Sequence, residues 1–452
     1  MSRWLDSYSR GFQRLLPSPM AIALSLTIVA LVSALFVSEP SKVVKSWSNG
    51  LWNPGLMRFG FQAMFMLVLG HVLALSKPIR RILDGVAEFA VKTPGFAPAY
   101  VAVVAMLLGW VNWGLGLVAG ALIAKVVIDK KVAHAGLVGA AGYMGLLVWH
   151  SGLSGSAPLK VAESGHLVEI YKKGLEWDVP IADSISISST LFTSWNAMIT
   201  ISVMIAIAGL FAYLGKTIPY SKVEVSDELI NPEKEDGGID SIATFLDNSV
   251  LLPLIFGMLI IGTAIWMAFS NTGPTSLSFV TPDWTNLLLL GLALLAHGSI
   301  SKLVNAFNQA IGGAAGILLQ FPIYFGIMGV VTGTGLVDVL SSALVSATSI
   351  DSLPIAIFTS SGMLNVFVPS GGGQWAVQGP LVIEACNSLG MSLEKGIMAM
   401  AYGDQWTNML QPFWALPLLG ITGLKAKDIL PYTMAALLVS GIVFVVGLVL
   451  IV

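Results

Sequence analysis

The sequence predicts an all-α polytopic membrane protein with two inverted-topology repeats, each holding a re-entrant hairpin and a broken helix. Three observations predict it. The 452 residues are 55% hydrophobic and 11% charged, with a mean hydropathy of +0.82, whereas a soluble chain carries about 25% charged residues. Apolar runs recur near the ~20 residues that a helix needs to cross the hydrocarbon core. Two longer apolar segments, 98–128 and 352–385, are interrupted by Gly, Asn and Ser, and a matched pair of interrupted segments is the sequence pointer to a transporter binding site.

The first run, 19–38, follows Arg3, Arg10 and Arg14. A signal peptide starts this way, but the stretch is too long and many spans follow, so it reads as a retained helix. Further runs occupy 54–75, 135–150, 190–213, 250–270, 284–299, 303–332, 392–423 and 429–452. Lys and Arg favour the cytoplasmic side of short loops. With a cytoplasmic N-terminus and both interrupted segments returning to the side they left, only Lys42, Lys45, Arg58, Lys160, Lys172, Lys173 and Lys395 of the 23 basic residues fall outside. This topology has nine full spans and two hairpins. The polar stretch 215–248, with Glu224, Asp227, Glu228, Glu233, Glu235, Asp236, Asp240 and Asp247, reads as an acidic cytoplasmic linker with solvated charges. It follows a first repeat, 1–214 (hairpin 98–128, broken helix 135–158). A connecting span, 249–283, leads to the second repeat, 284–452 (hairpin 352–385, broken helix 392–423). One span between the halves inverts the second.

The halves share an interval. Asn112 of Asn-Trp-Gly precedes Ser151 by 39 residues, and Asn365 precedes Asp404 of Gly-Asp-Gln-Trp-Thr-Asn by 39; Pro158 and Pro412 follow 46 and 47 residues after their Asn. Polar backbone in the membrane core survives only around a buried cavity, so the four clusters are expected to meet at the midplane. Ser370, Gly371, Gly372 and Gly373 can offer successive N–H groups to an anion, and a half-helix starting near Gln374 adds its positive end. Ser151, Ser154, Gly155 and Ser156 can do the same from the other half. The plainer reading of such glycines is close helix packing, and it is the favoured one for Gly116 and Gly120.

All six arginines, at 3, 10, 14, 58, 80 and 81, lie outside both hairpins. Arg is the usual bidentate clamp for carboxylates and phosphates; a site built without it suits a small monoanion. Trp113, Trp375, Trp406 and Phe413 could enclose a short apolar tail or simply pack helices. Ionisable groups inside spans are functional candidates. Asp404 is the only one between Lys395 and Lys425; with Asn408 it could take a proton or Na⁺, or cap a half-helix. His71, His150 and His297 titrate near neutral pH in general, yet each taken singly reads as a packing or interface histidine, and Glu384 reads as interfacial. The substrate-binding set is therefore Asn112, Trp113, Gly114, Ser154, Gly155, Ser156, Asn365, Ser370, Gly371, Gly372, Gly373, Gln374, Gln405 and Trp406, and the cation-coupling pair is Asp404 and Asn408. The net charge of −2 gives no footprint for nucleic acid, and the one cysteine, Cys386, forms no internal disulfide and no metal cluster.

The runs starting at Asn112 (Asn-Trp-Gly-Leu-Gly-Leu-Val), at Val368 (Val-Pro-Ser-Gly-Gly-Gly-Gln-Trp-Ala-Val-Gln-Gly-Pro) and at Ala401 (Ala-Tyr-Gly-Asp-Gln-Trp-Thr-Asn-Met-Leu-Gln-Pro-Phe-Trp-Ala-Leu-Pro) resemble the bacterial short-chain fatty acid transporter family of the AtoE type. The likeness extends over nearly the whole chain, except that the linker and the loop 160–185 inherit nothing. It implies an inner-membrane secondary carrier for short monocarboxylates such as acetoacetate and butyrate. It further implies membership of the wider ion-transporter superfamily, whose dicarboxylate carriers are dimers with elevator-like transport domains; a homodimer is thus one expectation. No cofactor is implied, and the coupling ion, H⁺ or Na⁺, stays open.

Two rival readings remain at this stage. A passive channel or facilitator for small anions needs neither Asp404 nor uphill movement. A rhomboid-like serine protease is suggested by Gly152-Leu153-Ser154-Gly155 with His297, although it leaves the Asp404 cluster without a role. No GxxxxGK[ST] motif occurs, which excludes an ATP-driven pump on this chain alone.

Overall fold

The computed structural model describes residues 19–171, 182–218, 242–270, 279–336, 339–340, 343, 346–367, 371–411 and 414–451. Ser370, Pro412, Phe413, the three N-terminal arginines and the linker acids from Glu224 to Asp240 lie outside the described residues. Among the described residues the chain is helical and has no strand. The first half contains α1 (Pro19–Ala34), α2 (Pro40–Leu51), α3 (Pro54–Leu75), α4 (Lys77–Val91), α5 (Ala97–Val111), α6 (Trp113–Asp129), α7 (Ala135–Tyr143), α8 (Ser156–Val161) and α9 (Ser194–Thr217). The second contains α10 (Leu251–Ser270), α11 (Pro282–His297), α12 (Ile300–Ala310), α13 (Ala315–Gly333), α14 (Leu353–Phe367), α15 (Gly371–Leu389), α16 (Leu393–Thr407), α17 (Leu416–Thr422) and α18 (Ala426–Ile451).

Local chemistry starts and stops these helices. Side chains of Asn53, Thr193, Thr281 and Ser299 accept the first free N–H groups of α3, α9, α11 and α12, as N-caps do. His134 caps α7 by accepting from Leu137 N at 3.4 Å; burial holds this imidazole below its ordinary range, against the pull of Asp428, which keeps the ring an acceptor. Gly298 closes α11 at φ 68°, a left-handed conformation that suits glycine.

Among the described residues, five apolar helical stretches are long enough to cross a bilayer: Pro40–Leu75, Pro94–Val111, Ser194–Thr217, Leu251–Ser270 and Ala426–Leu450. On α10, Leu251, Ile255, Met258, Leu259, Ile265 and Trp266 are all exposed, an outer surface suited to lipid rather than water. The chain is a multi-pass membrane protein. Several runs differ from the spans read in the sequence. The run 303–332 is two helices, α12 and α13, parted by a short 3₁₀ turn at Ile311–Ala314, where Gly312 removes side-chain support for a straight helix. The run 19–38 stays helical only to Ala34. Segments read as loops are the amphipathic helices α2 and α4; α4 buries Leu83, Ala87 and Ala90 and exposes Arg80, Arg81, Asp84 and Glu88, one apolar face at helical spacing.

The segment around Asn112 is a tight helical pair. Asn112 is fully buried and its Oδ1 accepts from Leu115 N at 2.8 Å, capping α6 as the chain reverses out of α5. A Cβ on Gly116 would lie 2.4 Å from Gly109 Cα, and one on Gly120 would lie 2.2 Å from the Gly142 carbonyl. These two glycines therefore serve close packing, within the pair and against α7. Asn112→Ala is expected to lower unfolding stability by about 2 kcal/mol, the loss of a cap plus a buried unpaired N–H; thermal unfolding in detergent reads it.

Candidate functional site

Two interrupted helices meet in the interior and complete one another. The first is α7, a 3₁₀ turn at Met144–Leu147, an irregular stretch and α8; the second is α16, a 3₁₀ turn at Asn408–Leu410, and α17. Breaking a helix orphans carbonyls and N–H groups, and inside a bilayer each needs a protein partner. Tyr143 Oη donates to the carbonyls of Asn408 (3.0 Å) and Gln411 (2.9 Å). Asn408 Nδ2 donates to Leu146 O at 3.2 Å. Gln405 Oε1 accepts from His150 N (2.9 Å) and Ser151 N (3.1 Å). Each break satisfies the other.

Each break is also stitched to the helical pair before it. Trp110 Nε1 donates to Ser151 O (3.1 Å), Leu153 N to Trp110 O (2.7 Å) and Trp113 N to Ser154 Oγ (2.9 Å). In the second half Asn365 Nδ2 donates to Asp404 O (2.7 Å), Thr407 Oγ1 (3.0 Å) and Asn408 Oδ1 (3.0 Å), while its carbonyl accepts from Gln411. The 39-residue interval between Asn365 and Asp404 is thus a direct contact.

At the junction lies a buried carboxylate whose titratable neighbour is a histidine. Asp404 is fully buried, and neither Oδ1 nor Oδ2 has a hydrogen-bond partner. His150 Nδ1 stands 3.3 Å from Oδ2, and it too makes no hydrogen bond. His150 Nε2 accepts from Ala157 N at 3.1 Å, in the first turn of α8, so the neutral ring carries its proton on Nδ1, facing Asp404. A second proton on the ring would break the bond from Ala157. The ring is further held by stacking on Trp149, centroids 4.5 Å apart.

The start of α15 closes this group. A Cβ on Gly371 would lie 2.6 Å from the Trp149 ring, 2.9 Å from His150 Cε1 and 3.1 Å from Asp404 Oδ2. Only glycine lets the positive end of α15 come this near. Beside it sits a cavity of about 30 Å³ lined by Ala63, Trp113, Leu146, Trp149, Ser156, Phe321, Gly371, Gly372, Asn408 and Trp414, room for a water or a bare ion.

Of the sequence-predicted residues, Trp113, Ser156, Gly371, Gly372 and Asn408 surround that cavity, and Asp404 touches its edge through Gly371. Others are bound into the scaffold. Asn112 caps α6; a Cβ on Gly114 would lie 2.8 Å from Leu67 O, and one on Gly155 2.3 Å from His150 O. Ser154, Asn365 and Gln405 make the bonds given above. Gly373 is buried in the first turn of α15. Gln374 Nε2 bonds Ser361 O (2.9 Å) and Gln378 Oε1 (2.9 Å) while its own Oε1 is unpartnered. Trp406 takes the packing alternative: its ring stacks on Phe358 at 4.9 Å and its Nε1 donates to Leu437 O, which packs α16 on α14 and α18. Sequence reasoning passed over Trp149, Trp414 and the pairing of His150 with Asp404. The adjacency of His150 to Ser151, the residue that ends the shared interval, was the available signal. Ser154 Oγ accepts from Trp113 and His297 Nε2 bonds Val72 O at 2.9 Å, so no serine–histidine pair forms.

A family model described as short chain fatty acid transporter matches residues 2–451. A protein of Escherichia coli (strain K12) named for short-chain fatty acid transport is 37% identical over 449 residues, covering 98% of both chains. Another so named, from Haemophilus influenzae (strain ATCC 51907 / DSM 11121 / KW20 / Rd), is 35% identical over 456 residues, covering 99% of this chain and 98% of its own. Among solved structures, the Alcanivorax borkumensis YdaH transporter matches with a TM-score of 0.55 at 15% identity, over 95% of this chain and 98% of its own. Neisseria gonorrhoeae MtrF, described within a class of antimetabolite efflux pumps, matches with a TM-score of 0.56 at 13% identity, over 98% and 97%. At such identities these structures show a shared fold and nothing of substrate. The family and its relatives are transporters rather than enzymes, which removes the protease reading.

Proposed function

The chain belongs to the short-chain fatty acid transporter family, and on that premise we propose that it is a secondary active symporter. It carries short-chain monocarboxylates such as acetoacetate or butyrate across the bacterial inner membrane, with H⁺ or Na⁺. The N-terminus is cytoplasmic, the two helical pairs are re-entrant, the halves are inverted repeats, and the protein works as a homodimer.

One observation carries the coupling: Asp404 is a buried carboxylate that makes no hydrogen bond and has only His150 Nδ1 beside it among the described residues, next to a cavity and a helix start. The substrate carboxylate is assigned to the start of α15 at Gly371 and Gly372, with Ser156 opposite and Trp113, Trp149 and Trp414 around its tail. Two bare carboxylates about 4 Å apart repel by about 4 kcal/mol at an effective dielectric near 20, or roughly a thousandfold in affinity. His150 Nε2 is already engaged by Ala157 N at 3.1 Å. A proton or Na⁺ on Asp404 is therefore the condition for the anion to bind, and Asn408 is placed to assist. That mutual requirement is symport. The cavity as it stands is too small for a four-carbon acid, so transport requires the two breaks to part.

The test is saturable uptake of labelled butyrate and acetoacetate into proteoliposomes, scored above protein-free vesicles because undissociated acid crosses lipid unaided. Saturation and mutual competition are expected. Uptake of neither acid above the lipid background would contradict the substrate assignment.

A further inference from the structure

We propose that Lys160 is the cation that recognises the substrate carboxylate at the mouth of the cavity, and that Glu163 is a resident carboxylate which the substrate displaces. The proposal rests on the transport reading above and adds the charged group that its site otherwise lacks.

Lys160 lies in the last turn of α8, with its side chain only 5% exposed. Lys is almost never buried unless it is paired, and inside a membrane protein such a residue points to function. Its ammonium pairs with Glu163, lies 3.4 Å from Gln62 Oε1, and sits 5.4 Å from the centroid of the Phe59 ring. Gln62 is the hub. Its Nε2 donates to Glu163 Oε1 (2.9 Å) and to Asp283 Oδ1 (2.7 Å), and Asp283 pairs with Arg58. Residues from α3, from α8 with the turn after it, and from α11 therefore form one charge-balanced cluster.

Exposure falls along that cluster. The side chains of Arg58 and Asp283 are 62% and 49% exposed, Glu163 is 13% and Lys160 is 5%. A polar path thus runs from the surface to a buried ammonium. Beyond the ammonium stands a single aromatic ring. Phe59 carries Lys160 on its face, and a Cβ on Gly372 would lie 2.6 Å from Phe59 Cζ. Phe59 also packs on Phe321, ring centroids 6.3 Å apart, and Gly372 and Phe321 both line the cavity. Lys160 is one ring away from the proposed anion site.

The chemistry of displacement is symmetric. A short-chain monocarboxylate and the Glu163 side chain are the same ligand to an ammonium, each with one negative charge and two acceptor oxygens. Exchange leaves the count of charge pairs at Lys160 unchanged. Glu163 is not stranded, because Gln62 Nε2 already donates to it. Movement of the Phe59 ring would then admit the captured carboxylate to the start of α15.

The purely structural alternative is a staple that fixes α8 to α3, and kinetics separate the two. The full-length protein is reconstituted, and initial rates of labelled butyrate uptake above protein-free vesicles are compared for Lys160→Met, Lys160→Arg, Glu163→Gln and the charge-balanced double variant Lys160→Met/Glu163→Gln. Recognition predicts that Lys160→Met and the double variant raise KM by about tenfold or more with a largely retained maximal rate, tenfold being the loss expected of one charged contact. Lys160→Arg should restore KM to near the wild-type value, and Glu163→Gln should lower KM because the competing carboxylate is gone. A wild-type KM in the double variant overturns the proposal. So does a loss confined to maximal rate and thermal stability that Lys160→Arg shares. Failure of the transport reading itself shows differently, as wild-type vesicles without saturable uptake, and overturns both.

Discussion

Asp404→Asn is expected to abolish cation-driven accumulation of substrate while exchange of labelled for unlabelled butyrate continues. The amide nearly matches the carboxyl in shape and removes the negative charge that makes a cation obligatory. Substrate then binds without its partner ion. A tenfold gradient of the coupling ion stores about 1.4 kcal/mol, enough for about tenfold accumulation with one ion per anion; in the variant the ratio should fall to about 1. Asp404 Oδ1 and Oδ2 accept no hydrogen bond, and the amide oxygen can still face His150 Nδ1 as Oδ2 does at 3.3 Å, so the fold should persist. Accumulation equal to wild type would remove Asp404 from the mechanism.

Gly371→Ala should cost nearly all uptake. The new methyl would lie 2.6 Å from Trp149 Cη2 and 2.9 Å from His150 Cε1, closer than real Cβ atoms come, and the stacked ring pair cannot retreat without reopening the His150 bond to Ala157. Overpacking of this kind costs about 1–3 kcal/mol of stability, and the displaced rings would fill a cavity of only about 30 Å³. A fall in uptake of at least about a hundredfold, equivalent to about 2.7 kcal/mol, is expected. Gly262→Ala on α10 is the control: a Cβ there meets nothing within 4 Å, so uptake should be unchanged and helix propensity slightly improved by about 0.5–1 kcal/mol. Equal losses in the two variants would show that Gly371 has no special place in the site.

Much of this arrangement was legible in the sequence because membrane burial punishes unpaired backbone. Interrupted apolar segments had to face one another, and the interval from Asn365 to Asp404 encoded a contact that the structure makes at 2.7 Å. Gly371 and Gly372 stood out in the sequence as N–H donors to an anion; what the structure adds is how closely other side chains approach them. What was hidden depended on partners distant in sequence. His150 acquires its meaning from Asp404, and Lys160 from Gln62, 98 residues away. The absence of arginine from both hairpins suggested a site with dipoles alone, yet α8 carries a buried lysine to its edge. For Trp406 the sequence left tail enclosure and helix packing open, because a tryptophan beside Asp404 and Gln405 shares their neighbourhood in the chain while its ring turns toward Phe358 and Leu437. The amphipathic helices α2 and α4 were missed because charges at helical spacing between apolar runs read equally well as loops.

The most direct measurement is initial uptake of labelled acetoacetate into proteoliposomes with a pH gradient, a Na⁺ gradient and a membrane potential imposed one at a time, each against protein-free vesicles. Symport through Asp404 predicts that one cation gradient alone accelerates protein-dependent uptake, and that Asp404→Asn loses this acceleration. Uptake that follows the potential alone, with no response to either cation gradient, would contradict it and identify an anion channel.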